Sequence, residues 1–150
     1  MTTNKYPGTF TIYKKIGAAQ FTLLPPRRDE NGRISKNGAV LLEVAKSAGD
    51  KKYGWSDKIS FAVGMSDICN ILDNPDNPPR LVHSMPGSDT VKALELEPGE
   101  GKYQGTYMLK LSENNKKEGN SKFVSVPVGP GEYQMMMRLL MHASPQLVGW

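Results

Sequence analysis

An α+β fold, with two four-stranded antiparallel sheets each followed by a helix, is what three features of the sequence predict. Alternation of apolar and polar residues with period two dominates both halves. The period changes to that of a helix in only two places, after Gly64 and after Gly129. The connectors between strand-like runs are short and turn-rich, so neighbouring strands run antiparallel, since a parallel crossover needs a dozen residues or more.

The elements follow in order. "FTIYKK" (10–15) leads into "AAQFTLL" (18–24), where Ala19, Phe21 and Leu23 alternate with Gln20 and Thr22. "RRDENGRISKNG" (27–38) reads as a polar loop. "AVLLEVAKSA" (39–48) sets Val40, Leu42 and Val44 on one face and Leu41 and Glu43 on the other. "KISFAV" (58–63) points Ile59, Phe61 and Val63 inward, with Lys58 and Ser60 outward. In "MSDICNILD", Ile68, Ile71 and Leu72 share a helical face, Ser66 is the expected N-cap, and Asp67 favours the first turn. Prolines in "NPDNPP" (74–79) end that helix. "RLVHSM" (80–85), "TVKALELE" (90–97), "GTYMLKLS" (105–112) and "KFVSVPV" (122–128) read as the second four strands. A helix closes the scheme, with Tyr133, Met136, Met137, Leu140 and Met141 as its apolar stripe. The halves repeat these elements without repeating residues.

The 150 residues fit one domain, 1–150. A lone cysteine, Cys69, rules out an internal disulfide and points to a reducing compartment. No stretch approaches the length of a membrane span. "MTTNKYPGTFTIYKK" has neither a secretion signal nor an organellar presequence pattern. The expected location is therefore the cytoplasm, or a host cell's cytoplasm, or an organelle if a presequence has been removed. Charge is uneven: residues 1–64 carry eleven Lys/Arg against five Asp/Glu, a balance of +6, and residues 65–150 carry eight against ten, a balance of −2. A basic half of this kind suits a polyanion-binding face.

Catalytic chemistry finds no support. His83 and His142 are the only histidines, neither beside an evident partner, and satisfied structural roles fit both. No nucleophile elbow, paired-carboxylate motif or phosphate-cradling glycine loop is present. One cysteine and two distant histidines cannot build a metal cluster, and no cofactor motif appears. Cys69 reads as a small buried hydrophobe and the methionines of the last helix as core.

Aromatic residues and lysines interleave instead. Tyr13 precedes Lys14 and Lys15; Tyr53 and Trp55 lie between Lys51, Lys52 and Lys58; Lys102 precedes Tyr103; Lys110 follows Tyr107 by three. Single-strand binders combine these types because cations track phosphates while aromatic faces stack unpaired bases. Strand aromatics also simply pack, so two readings stand for Tyr53 and Trp55.

The order of motifs resembles the Whirly family of single-stranded DNA-binding proteins. The resemblance rests on Lys36 to Leu42 (K-x-G-x-x-L-L), Tyr53 to Lys58 (Y-x-W-S-x-K), the strand Ile59 to Val63, the helix Ser66 to Leu72 and the closing L-x-G-W of Leu147 to Trp150. The family's K-G-K-A-A-L stretch appears as "IGAAQF" (16–21), keeping Gly17 and Ala19 without its lysines; Lys14 and Lys15 stand just upstream. The resemblance implies two blade-like sheets backed by helices, a homotetramer centred on those helices, and single-stranded DNA running over the sheets with little sequence preference. It implies a non-catalytic role in replication, recombination or repair. RNA binding or annealing on the same fold is the alternative, followed by a protein-interaction module. The expected phosphate contacts are Lys14, Lys15, Lys51, Lys52, Lys58, Lys92 and Lys110, and the expected stacking residues are Tyr53, Trp55, Tyr103 and Tyr107.

Overall fold

A computed structural model describes residues 8–150; the first seven residues, where the start of the leader reading falls, lie outside the description. The chain runs β1 (Thr9–Tyr13), β2 (Gly17–Leu24), β3 (Arg27–Arg28), β4 (Ile34–Lys36), β5 (Ala39–Gly49), β6 (Lys52–Tyr53) and β7 (Ile59–Val63) into α1 (Met65–Asp73). It continues through β8 (Leu81–Ser84), β9 (Thr90–Pro98), β10 (Tyr107–Asn115) and β11 (Asn120–Val128) to α2 (Pro130–Leu147).

Every strand pairing is antiparallel. In the first sheet β2 lies between β1 and β5, and the eleven-residue β5 serves two partners on its far side. Its first half pairs with β7 from Val40↔Val63 to Val44↔Ile59, and its end pairs with β6 through Ser47↔Tyr53. The second sheet is the meander β11-β10-β9-β8. The two-layer expectation therefore holds, with two additions. Arg27–Arg28 and Ile34–Lys36, read as loop, form a small hairpin, and Lys52–Tyr53 forms a short strand. Both are two- or three-residue pairings, too short for alternation to reveal.

The period-two pattern decides which side chains meet. Val40, Leu42, Val44, Ile59, Phe61 and Val63 are all buried, as alternation requires. So are Val124, Val126 and Val128 from β11. Both sheets and both helices contribute to one contiguous apolar cluster. The sheets meet where β11 packs on β2 and β5. Gly17 permits this approach: a Cβ there would lie 2.8 Å from the Ala45 carbonyl oxygen and 3.3 Å from Val126 Cγ2. Glu43, expected on an outer face, is buried, and it is paired with Lys58.

The helices correct three expectations. The N-cap of α1 is Gly64 rather than Ser66; the Asp67 carboxylate accepts the Gly64 N–H at 3.0 Å and thereby supplies the cap. The same carboxylate lies 2.8 Å from His83 Nε2, and the His83 ring stacks on Phe61 at 3.9 Å, so this histidine has both a partner and a platform. Cys69 is exposed, because Ile68 and Ile71 define the buried face and residue 69 turns away from it. In α2 the buried stripe is Tyr133, Met136, Met137, Leu140, Ala143 and Leu147, while Met141 is 59% exposed. Each i+4 step from Tyr133 advances about 40° round the helix, so by Met141 that ladder has left the core. At its start Glu132 accepts the Gly129 N–H at 2.9 Å and binds Lys14 at 2.6 Å. Burial pushes the Glu132 carboxyl up, but Lys14 and the Gly129 N–H outweigh it and hold the group below its usual range.

Candidate nucleic-acid interface

The turn from β5 to β6 positions the site. Gly49 and Lys51 both adopt positive φ, 139° and 54°, which folds the chain back tightly and throws the lysine outward. Gly54 N–H then donates to the Lys46 carbonyl at 2.9 Å, and Trp55–Asp57 closes as one 3-10 turn. Across from this turn, β1 ends at Tyr13, whose neighbour Ile12 is buried while Tyr13 itself is 61% exposed.

Three rings thus form a row. Tyr13 and Tyr53 have centroids 5.5 Å apart, and Tyr53 and Trp55 6.4 Å apart, all tilted. The Tyr53 hydroxyl donates to the Lys14 carbonyl at 2.8 Å, which fixes the middle ring. Tyr53 and Trp55 are half-buried and stand outside the core cluster. They line an open groove of about 750 Å³ with Tyr13, Lys51 and Lys52. A second groove of about 610 Å³ adjoins it across Tyr13 and Tyr53 and adds Lys14, Lys15 and Asp50. Among the described residues, Lys15, Lys51 and Lys52 have no carboxylate within ion-pair distance. The surface therefore offers aromatic faces at its centre and uncompensated ammonium groups at its rim. Such a surface can stack flat rings and attract phosphates; among the described residues no three His, Cys, Asp or Glu side chains are grouped to hold a metal ion.

The other expected residues lie elsewhere or are occupied. Lys58 is the partner of buried Glu43. Lys92 donates to the Ser60 carbonyl at 2.8 Å and stands 3.7 Å from Glu113, so it ties the second sheet to the first. Lys110 binds Glu97 at 2.9 Å; that hydrogen bond, offset in part by burial and aided by Glu95 and Glu100, raises its pKa. An ammonium ringed by three carboxylates is a poor phosphate contact. The Tyr107 ring lies flat on Tyr133 at 3.7 Å and its hydroxyl donates to the Asp76 carbonyl at 3.3 Å, which makes it a packing residue. Burial, with Tyr107 and Asp76 nearby, pushes the Tyr133 phenol well up. Tyr103 sits in the β9–β10 connection with the Lys102 ammonium 5.1 Å above its ring, away from the grooves.

Two aromatic residues at the surface were not among the expected contacts. Tyr13 was visible beside Lys14 and Lys15, and the alternation of β1 turns it outward opposite Ile12. Phe123 is 61% exposed on β11, with Lys46 Nζ 5.5 Å from its ring centroid. Its signal was the same alternation, since Val124, Val126 and Val128 claim the inner face. Lys122 beside it reaches Asp57 at 3.2 Å and Glu113 at 3.4 Å; the Asp57 hydrogen bond leads in raising its pKa.

Comparison with known proteins agrees with this architecture. A family profile described as "Whirly transcription factor" matches residues 12–139. The single-stranded DNA-binding protein WHY3, chloroplastic, of Arabidopsis thaliana is 29% identical over 93% of this chain and 56% of its own length. The single-stranded DNA-binding protein WHY2, mitochondrial, of the same plant is 26% identical over 94% of this chain and 63% of its own. The chain thus spans little more than half the length of these relatives, whose names place them in organelles and lend nothing to a cytoplasmic location. The crystal structure of WHY3 from Arabidopsis thaliana superposes with a TM-score of 0.87 at 25% identity, covering 99% of this chain and 92% of that one. A profile match over most of the sequence, carried by the same two-sheet, two-helix architecture, decides the lineage: the chain belongs to the Whirly family.

Proposed function

We propose that this protein binds single-stranded DNA with little sequence preference, laying bases on Tyr13, Tyr53 and Trp55 and phosphates along Lys15, Lys51 and Lys52, with Lys14 held by Glu132 behind them. The observation that carries the proposal is the row of three rings, rimmed by Lys15, Lys51 and Lys52, which no carboxylate of the described residues neutralises. Bases stacked on such rings contribute about 1–3 kcal/mol each, and phosphate contacts add affinity that falls with salt. The names of the curated relatives support DNA as the polymer.

The role is non-catalytic, exercised by residues 1–150 as one unit, and it shelters or presents unpaired DNA in replication, recombination or repair. An organelle is the location that the relatives' names support. A homotetramer is the assembly we propose. Met135 and Leu139 leave an apolar strip of α2 exposed on one flank of its buried stripe, where Leu139 joins Phe10 and Leu23 in lining a groove of about 260 Å³, and Met141 is exposed on the other flank. In the proposed assembly the helix of another copy covers this strip.

A gel shift with matched single- and double-stranded oligonucleotides over a salt series, run beside light scattering, tests the proposal. Single-strand binding that weakens as salt rises, on a particle of four subunits, is expected. Preference for duplex, or no nucleic acid bound at low salt, overturns it. RNA outcompeting DNA of the same sequence would transfer the site to RNA.

A further inference from the structure

The second sheet carries an aromatic ring that the groove of the first sheet does not explain. Phe123 lies on β11, an edge strand, and its outward turn follows from the burial of Val124 and Val126. A single exposed apolar side chain is ordinary. Three neighbours make this one different. Lys46 holds its ammonium over the ring at 5.5 Å and has no carboxylate partner among the described residues. A small groove of about 110 Å³ lies between the sheets here, with Lys46, Ser47, Gly54 and Phe123 in its lining. Ser47 also lines the groove of Lys14 and Lys15, and Gly54 is the residue between Tyr53 and Trp55, so the small groove continues the aromatic row. The negative charge of Asp57 at this junction is matched by Lys122.

We infer that Phe123, with Lys46 beside it, is a second base-stacking position, so that a bound single strand crosses from the β5–β6 turn of the first sheet onto β11 of the second. The inference rests on the single-strand reading above. The ligand is an unpaired nucleobase: its flat face covers the phenyl ring, and Lys46, displaced from the ring, meets the adjoining phosphate. Aromatic stacking tolerates any base, so this position extends the site without adding sequence preference.

Fluorescence anisotropy with two labelled oligothymidylates tests it, one long enough to reach both sheets and one short enough to fill only the Tyr13–Trp55 groove. Phe123→Ala should weaken the long oligonucleotide roughly five- to 150-fold, leave the short one unchanged, and leave the melting temperature near that of the parent, because the ring lies outside the core. Phe123→Trp should restore the long-strand affinity. Wild-type affinity of Phe123→Ala for the long strand, or equal losses for both lengths, overturns the inference. If the parent binds while Tyr53→Ala weakens and Phe123→Ala does not, only this extension falls. If the parent binds no single strand, the proposed function falls and takes the extension with it.

Discussion

Tyr53 separates packing from stacking more cleanly than any other residue, because its hydroxyl and its ring do different things. The hydroxyl donates to the Lys14 carbonyl at 2.8 Å in a partly buried setting. Tyr53→Phe removes that bond and keeps the ring, so it should cost about 0.5–1.5 kcal/mol of stability. For a chain of this length that lowers the melting temperature by roughly 1–6 °C. Affinity for single-stranded DNA should stay within about twofold, since the stacking face is intact. Tyr53→Ala removes the face as well, together with its contacts to Tyr13 and Trp55 at 5.5 and 6.4 Å. Losing one stacked base costs about 1–3 kcal/mol, a five- to 150-fold weaker complex. Thermal melts and anisotropy titrations of the two variants, made on the same preparations, read both numbers. If Tyr53→Ala binds as tightly as the parent while melting lower than Tyr53→Phe, the ring is a packing residue and the stacking argument is wrong.

Other consequences are open to measurement. Lys51 holds φ at 54°, a region costly for a residue with a side chain, so Lys51→Gly should hold or raise stability by up to about 1 kcal/mol while weakening DNA binding; melts and titrations moving in opposite directions are the signature. The same loss should reduce the slope of log affinity against log salt by about 0.7, the contribution of one single-strand phosphate contact, whereas Lys110→Ala, whose ammonium is held by Glu97, should leave the slope unchanged. Gly17→Ala forces a Cβ to 2.8 Å from the Ala45 carbonyl oxygen of the neighbouring strand and 3.3 Å from Val126 Cγ2 of the second sheet, and should cost about 1–3 kcal/mol in chemical denaturation, with full-strength stability refuting the tight packing around Gly17. The Glu132 carboxyl is held below its unfolded value of about 4.5, so its ion pair with Lys14 adds stability above that pH and loses it as pH falls. The melting-temperature gap between the parent and Glu132→Gln should therefore shrink in acid; a gap that grows would reverse the sign.

Strand periodicity made most of the architecture legible. Ile59, Phe61 and Val63 alternate without exception, and the structure buries all three. The helical faces were legible at their centres and not at their edges, where Met141 and Cys69 depend on a few tens of degrees of helix rotation. The Gly64 cap was missed because glycine carries no capping side chain, and the group that supplies the cap is the Asp67 carboxylate reaching back three residues. At the candidate site, the clustering of Lys51, Lys52, Tyr53 and Trp55 was legible because these residues, which line one groove, are also near neighbours in sequence. Tyr107 and Lys110 misled for the opposite reason. Their partners, Tyr133 and Glu97, come from α2 and β9, and no spacing within β10 announces them. Phe123 needed the two sheets to be packed before Lys46 could be seen above it.

The central claim is that unpaired bases rest on the rings at the end of β1 and at the end of β6. Photo-crosslinking of a bromodeoxyuridine-substituted single strand, with the modified peptides located by mass spectrometry, addresses it directly. Adducts at Tyr13, Tyr53 and Trp55 that vanish when unlabelled single strand is added are the predicted result. Adducts confined to Tyr103 and Tyr107, with the three-ring row untouched, would contradict it.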